Sequence, residues 1–131
     1  MANIPTELRY AKTHEWARLE DDGTVVVGIS DHAQSALGDL VFVEVPEAGT
    51  EVASGDACAI VESVKAASDV YSPIAGEIIA ANEALGDAPE MINQDPYGDG
   101  WIMRMNPADA GEIGEIMDAE AYEAFLEEEE S

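Results

Sequence analysis

The sequence predicts a mainly β protein, a flattened antiparallel barrel or sandwich, with a short helix over 31–37 and a C-terminal helix over 117–127. Three observations carry this expectation. Short β-branched and apolar runs recur along the chain, each bounded by Gly, Pro or polar turn residues, the pattern of many short strands. Between 57 and 81 such runs flank a polar break at Lys65, the pattern of strand, tight turn, strand. Helical patterning longer than a single turn occurs in the stretch after Ser30 and at the C-terminal end. At 131 residues the chain is expected to be a single domain, 1–131. A chain of that size removes roughly two-thirds of its unfolded surface from water.

Residues 1–9, with Pro5, read as an irregular lead-in. Residues 10–19 read as a first strand, with Trp16, Ala17 and Leu19 apolar and His14, Glu15 and Arg18 interspersed. Asp22-Gly23 supplies a hairpin turn. Thr24-Val25-Val26-Val27-Gly28-Ile29 is the next strand. Ser30 or Asp31 can accept from the free amides of a helix start, Gln34 stands three residues after Asp31, and Gly38 suits a positive φ at the helix end. Residues 40–45 form a continuous apolar strand, stopped by Pro46. Thr50-Glu51-Val52 and a Ser54-Gly55-Asp56 turn then lead into the lysine hairpin.

In that hairpin, Ala57, Ala59 and Val61 alternate with Cys58, Ile60 and Glu62. Val70, Ile74 and Gly76-Glu77-Ile78-Ile79 resume strand character beyond the turn. A hairpin tip holds its side chain in solvent, where an enzyme can reach it. Residues 82–96 read as loop with one helical turn near 89–92, and residues 101–105 as the final strand. Residues 107–114 read as irregular. Met117, Ala121 and Phe125, with Tyr122 and Leu126, put one apolar stripe on the last helix. The Glu127-Glu128-Glu129-Glu130 run is expected to be a solvated, fraying end. Gly23-Thr24-Val25-Val26-Val27 and Gly76-Glu77-Ile78-Ile79-Ala80 rhyme weakly, as two similar halves would.

The formal net charge is −24, from 29 acidic and five basic side chains. Nucleic acid and anionic membrane are poor partners for such a surface. The charge suits solubility, or a cytoplasm rich in salt where repulsion is screened. Met1-Ala2-Asn3-Ile4-Pro5 has neither a basic start nor an apolar segment, and no run approaches a membrane span. A bacterial or archaeal cytoplasm is therefore expected, with a mature organellar protein as the alternative. Cys58 is the single cysteine, so no internal disulfide forms, and its apolar strand suggests an inert, buried thiol. His14 and His32 lack metal-ligand spacing, and no phosphate-cradling glycine loop is present. No metal site and no catalytic constellation is expected: the chain reads as a carrier on which other enzymes work. Only two lysines occur, Lys12 and Lys65, which makes a tip lysine notable.

Glu62-Ser63-Val64-Lys65-Ala66-Ala67-Ser68-Asp69, followed by Tyr71-Ser72-Pro73 and Gly76-Glu77-Ile78, resembles the lipoylation segment of the glycine cleavage system H proteins. The likeness continues, in that family's order, through 10–16 (Tyr-Ala-Lys-Thr-His-Glu-Trp), 28–34, 38–44 and 96–101, and covers about 8–125. It implies a lipoyl-domain (barrel-sandwich hybrid) fold, with two small antiparallel sheets and the lysine hairpin at one end. It implies lipoate in amide linkage on Lys65, with Glu62, Ser63, Val64 and Ala66 as the recognised flanks. Biotin carriers of similar fold usually flank their lysine with methionine, whereas Val64 and Ala66 stand here. Arm and lysine stem together would reach on the order of 10–15 Å.

The resemblance further implies a monomeric, non-catalytic shuttle with four kinds of partner. Glycine decarboxylase loads an aminomethyl group, aminomethyltransferase removes its carbon, dihydrolipoyl dehydrogenase restores the disulfide, and a lipoate ligase or a lipoyl/octanoyl transferase attaches the arm. Thr13, Glu15 and Asp69 match positions that line an arm-shielding cleft in that family. Ala36 departs from members with a histidine there. A relay of lipoyl or octanoyl groups in cofactor biosynthesis is the alternative function, separated from the first by a glycine-dependence test.

Overall fold

The computed structural model describes residues 5–130; residues 1–4 of the expected lead-in lie outside the described residues, as does Ser131. Among the described residues the strands are β1 (Arg9–Tyr10), β2 (Glu15–Leu19), β3 (Val25–Ile29), β4 (Leu40–Glu44), β5 (Glu51–Val52), β6 (Ala57–Ser63), β7 (Ala67–Tyr71), β8 (Gly76–Ala81) and β9 (Met103–Pro107). They form a six-stranded sheet, β1-β2-β3-β9-β8-β5, and a three-stranded sheet, β4-β6-β7. Every pairing is antiparallel. The helices are α1 (Asp31–Leu37), α2 (Met91–Gln94) and α3 (Ala119–Glu130), with 3₁₀ turns at Glu83–Gly86 and Ala110–Glu115. The chain forms the expected mainly β sandwich with a helix over 31–37 and another at its C-terminal end, and α2 is added to them.

The β-branched run of β3 explains the centre of the molecule, because all five of its residues are buried. Val25, Val27 and Ile29 face the core between the sheets, with Val43, Val61, Val70 and Ile78 opposite or beside them. Val26 faces the other way, into a second core of Leu8, Tyr10, Trp16, Tyr122 and Leu126. Tyr10 stacks on Tyr122 with ring centroids 4.5 Å apart, which seats α3 on the six-stranded sheet. Gly28 is required on that face: a Cβ there would stand 2.7 Å from the Trp16 ring. The weakly rhyming runs 23–27 and 76–80 lead into β3 and β8, which flank β9 on its two sides.

Several expectations shift. The predicted strand over 10–19 is two strands, separated by a turn closed by Ala11 N–H to Glu15 O at 2.8 Å and His14 N–H to Ala11 O at 2.9 Å. The reversal uses a left-handed His14 (φ 75°), which no glycine announces. The run 57–81 is a hairpin only over β6 and β7; past Ser72-Pro73 the chain crosses to the other sheet as β8. The final strand begins two residues later than predicted, at Met103. Part of the segment read as irregular, 110–115, winds into a 3₁₀ turn.

Helix α1 follows its sequence signals. Ser30 Oγ accepts from Ala33 N–H, and Gly38 closes the helix at φ 86°. In α3 the stripe is phased differently from the prediction. Ala119, Tyr122 and Leu126 are buried, Phe125 is half-buried and Ala121 is exposed. Stacking on Tyr10 sets that phase, and small Ala121 loses little by facing water. The acidic end is helical through Glu130, with Glu127 and Glu128 exposed as expected of a solvated run.

Candidate functional site

Lys65 stands at the tip of the β6–β7 hairpin, in a turn that one hydroxyl organises. Ser63 N–H donates to Ala66 O at 2.7 Å. Ser63 Oγ accepts from Ala66 N–H at 3.1 Å and lies 3.4 Å from Lys65 N. Val64 is 82% exposed, and the whole segment 64–69 is exposed. The lysine stem passes over Gly38: a Cβ at Gly38 would meet Lys65 Cε at 3.5 Å and Nζ at 3.9 Å.

That platform is fixed from below by Asn93. Its Nδ2 donates to Gly38 O and to Gln34 Oε1, both at 2.9 Å, and its Oδ1 accepts from Leu40 N–H at 2.9 Å. One side chain of α2 thus holds the end of α1 and the start of β4 beside the hairpin. Sequence reading placed Asn93 in an uneventful loop; no periodicity or motif marks it.

At the other end of the hairpin, Glu15 is buried with 1% of its surface exposed. Thr13 Oγ1 donates to Glu15 Oε1, and Tyr71 N–H donates to Glu15 Oε2 at 3.1 Å. The carboxyl therefore ties the six-stranded sheet to the last residue of β7. Burial pushes its pKa up to about 7, against the lowering effect of those two hydrogen bonds. Beside it opens a cleft of about 420 Å³ lined by Tyr10, Thr13, Gly55, Tyr71, Pro73 and Met117 among others.

Of the sequence-predicted cleft residues, Thr13 and Glu15 are brought into contact. Asp69 lies exposed on β7, two residues before Tyr71; among the described residues no hydrogen bond joins its carboxylate to the other two. Of the lysine's flanks, Glu62 and Ser63 are half-buried, while Val64 and Ala66 are exposed. Among the described residues no group of three or more His, Cys, Asp or Glu is placed to hold a metal ion. His14 and His32 are close, with rings 4.8 Å apart, and His14 Nδ1 is 2.8 Å from Tyr122 Oη. Cys58 is partly buried, with Sγ 3.4 Å from Val70 O, and burial first, then the nearby Glu15 and Asp56, push its thiol up to about 12. Such a thiol is no nucleophile. Among the described residues no helix is long and apolar enough to cross a membrane.

The comparisons agree with this geometry. The family model described as Glycine cleavage H-protein matches residues 8–129. The glycine cleavage system H protein of Shewanella loihica is 59% identical over 98% of this chain and 100% of its own length. That of Halorhodospira halophila is 60% identical over 98% of this chain and 99% of its own. A crystal structure of a glycine cleavage system H protein from Mycobacterium marinum superposes with a TM-score of 0.85 at 41% identity, covering 92% of this chain and 97% of that one. Two antiparallel sheets with a lysine presented at one hairpin tip, and a match from residue 8 to residue 129, place this chain in the glycine cleavage H-protein family.

Proposed function

We propose that this chain is the lipoyl-carrying shuttle of the glycine cleavage system. Lys65 bears lipoate in amide linkage, and the chain carries an aminomethyl group from glycine decarboxylase to aminomethyltransferase. Dihydrolipoyl dehydrogenase restores the disulfide, and a lipoate ligase or lipoyl/octanoyl transferase attaches the arm. The chain works as a non-catalytic monomer of a single domain, in the cytoplasm of a bacterial cell. The observation that carries the reading is Lys65 itself, held out on an exposed turn with its stem lying flat over Gly38.

The residues present suit such a group. Gly38, at φ 86°, leaves the stem of Lys65 within van der Waals reach of the point where a Cβ would stand, and the cleft has an apolar wall from Tyr10, Tyr71, Pro73 and Met117 against which an aliphatic arm can lie. When bound, lipoate supplies a dithiol–disulfide pair that the protein's own side chains do not. The protein's part is to present Lys65 on an exposed turn, so that one end of the arm stays tethered at high effective concentration near each partner. Thr13 and Glu15 sit at and under the cleft wall, and Asp69 lies on the strand that leads to it. An ammonium group entering the cleft would favour the ionised form of Glu15 and lower its raised pKa. On this reading the three residues shelter the loaded amine, Thr13 from the cleft wall itself, Glu15 from behind Thr13 and Tyr71, and Asp69 from the strand beside it.

The test is co-expression with a lipoate ligase, followed by intact mass and peptide mapping. One lipoyl adduct on Lys65, absent from Lys65→Arg, is the expected result. An adduct on Lys12, or on Lys65→Arg, would overturn the assignment. Glycine-dependent carbon release in a reconstituted system should need the lipoylated chain; none would favour the relay role.

A further inference from the structure

The strand read over 40–45 opens with an unbroken apolar run, Leu40-Val41-Phe42-Val43, which ordinarily means a strand buried on both faces. The structure contradicts that for two residues. Between Leu40 and Phe42 the register of β4 against β6 shifts, and the extra residue leaves Val41 and Phe42 both facing solvent. Val41 is 57% and Phe42 47% exposed, while Leu40 and Val43 on either side are buried. Phe42 pairs across the sheet with Glu62, and Leu40 with Ser63, so this pair lies beside the residues that lead into the lysine turn. Val64, 82% exposed, follows two residues after Glu62 at the tip. Five large apolar side chains are notably exposed among the described residues, and these are three of them.

The rim of the patch is acidic. Asp39, Glu44 and Asp69 are exposed, and Glu62 is half-buried. Between Arg18 and Arg104 the sequence holds a single Lys or Arg, Lys65 itself. Whatever covers the patch must therefore offer apolar surface at its centre and cations at its edge.

We propose that Val41, Phe42 and Val64 form the docking surface for the enzyme that acylates Lys65, an enzyme whose active-site mouth is apolar and ringed by Lys and Arg. This rests on the reading of Lys65 as the acylated residue. Reach decides which partner is meant. An enzyme working at the far end of an arm on the order of 10–15 Å long can stand away from the hairpin. The acylating enzyme cannot, because it must bring an activated acyl group to Nζ. In that step Nζ attacks the acyl carbonyl of an acyl adenylate, the amide bond forms, AMP leaves with the bonding pair, and the proton of the amine passes to solvent. Its footprint must then cover the turn and the strand beside it, which is β4. The bulge is the device that turns two apolar side chains toward that footprint.

The experiment measures acylation kinetics with a lipoate ligase, ATP and lipoate, using wild type, Val41→Ser, Phe42→Ser and Glu44→Lys. KM for the carrier should rise about tenfold for Phe42→Ser, and less for Val41→Ser, with kcat nearly unchanged. Glu44→Lys and added salt should raise KM as well, because they weaken the charged rim. Labelling of Lys65 by a small amine-reactive ester, read by peptide mapping, should not differ among the variants, since that reagent needs no docking. Unchanged KM in Phe42→Ser overturns the proposal, as does a loss confined to kcat. A wild-type dimer that Phe42→Ser dissociates, seen by sedimentation, overturns it too, since a second copy would then be the occupant. Wild type that takes up no acyl group at Lys65 would instead refute the underlying reading of the lysine.

Discussion

The two sheets treat their outer faces in opposite ways. The six-stranded sheet is covered over its β1–β2–β3 end: Trp16 and Val26 lie under Tyr122 and Leu126 of α3, and Tyr10 stacks on Tyr122, although Leu19 at the end of β2 and Ile79 on β8 stay exposed. The three-stranded sheet has one face in the core, through Val43, Ala59, Val61 and Val70, and leaves Val41, Phe42 and the hairpin tip in water. Large aromatic burial is therefore concentrated in one sheet, and presentation in the other. A carrier needs both: a frame that does not move, and a lysine whose neighbours remain available to other proteins.

Substitutions should divide along that line. The largest effect is expected from Trp16→Ala. Trp16 is fully buried, donates its indole N–H to Pro96 O at 2.9 Å, and covers Gly28. Chemical denaturation should show a loss of about 3–5 kcal/mol. A loss under about 1 kcal/mol would mean that the outer core of the large sheet is dispensable.

Next comes Glu15, the junction between the sheets. Its carboxyl rises from 4.5 to about 7 through burial. Below pH 4.5 it is protonated in folded and unfolded chains alike; between 4.5 and about 7 the unfolded chain loses its proton first, so stability falls as pH rises, and above 7 the penalty is constant. Glu15→Gln retains an acceptor for Tyr71 N–H and removes the titration. The stability of the variant minus that of wild type should therefore rise by on the order of 2–3 kcal/mol between about pH 4 and about pH 8. A flat difference across that window would show a solvated carboxyl and a loose junction.

Ser63→Ala should cost about 0.5–1.5 kcal/mol, since it removes the hydroxyl that organises an exposed turn. The loss should also appear as faster amide exchange confined to 63–66. Lys65→Arg and Phe42→Ala should change stability by about 0.5 kcal/mol or less, although they lie at the functional end. A large loss from either would erase the contrast between frame and presenter.

The legibility of the sequence follows the same division. Where local chemistry decides, the sequence was sufficient: Ser30 and Gly38 mark α1, Asp22-Gly23 marks a hairpin, and the alternation around Lys65 marks β6 and β7. Where tertiary contact decides, it was silent. His14 takes a left-handed conformation that Asn or Gly would have advertised. Glu15 looks like any of the 29 acids until Thr13 and Tyr71 close on it. The phase of α3 is set by Tyr10, more than a hundred residues earlier in the chain. Val41 and Phe42 look like core because a bulge leaves no mark in composition. Asn93 owes its importance to three partners from distant segments.

The bond from Tyr71 N–H to the Glu15 carboxylate also bears on how the protein behaves when crowded. Strand β7 is the outermost strand of its sheet, and a bare row of amides and carbonyls there can template another chain, the first step toward fibres. Glu15 already occupies the amide at one end of that strand, and Asp69 sets a charge in its middle. A flat, self-complementary border is thereby made unattractive to its own copies without any covering helix, and mutual repulsion at a net charge of −24 works in the same direction.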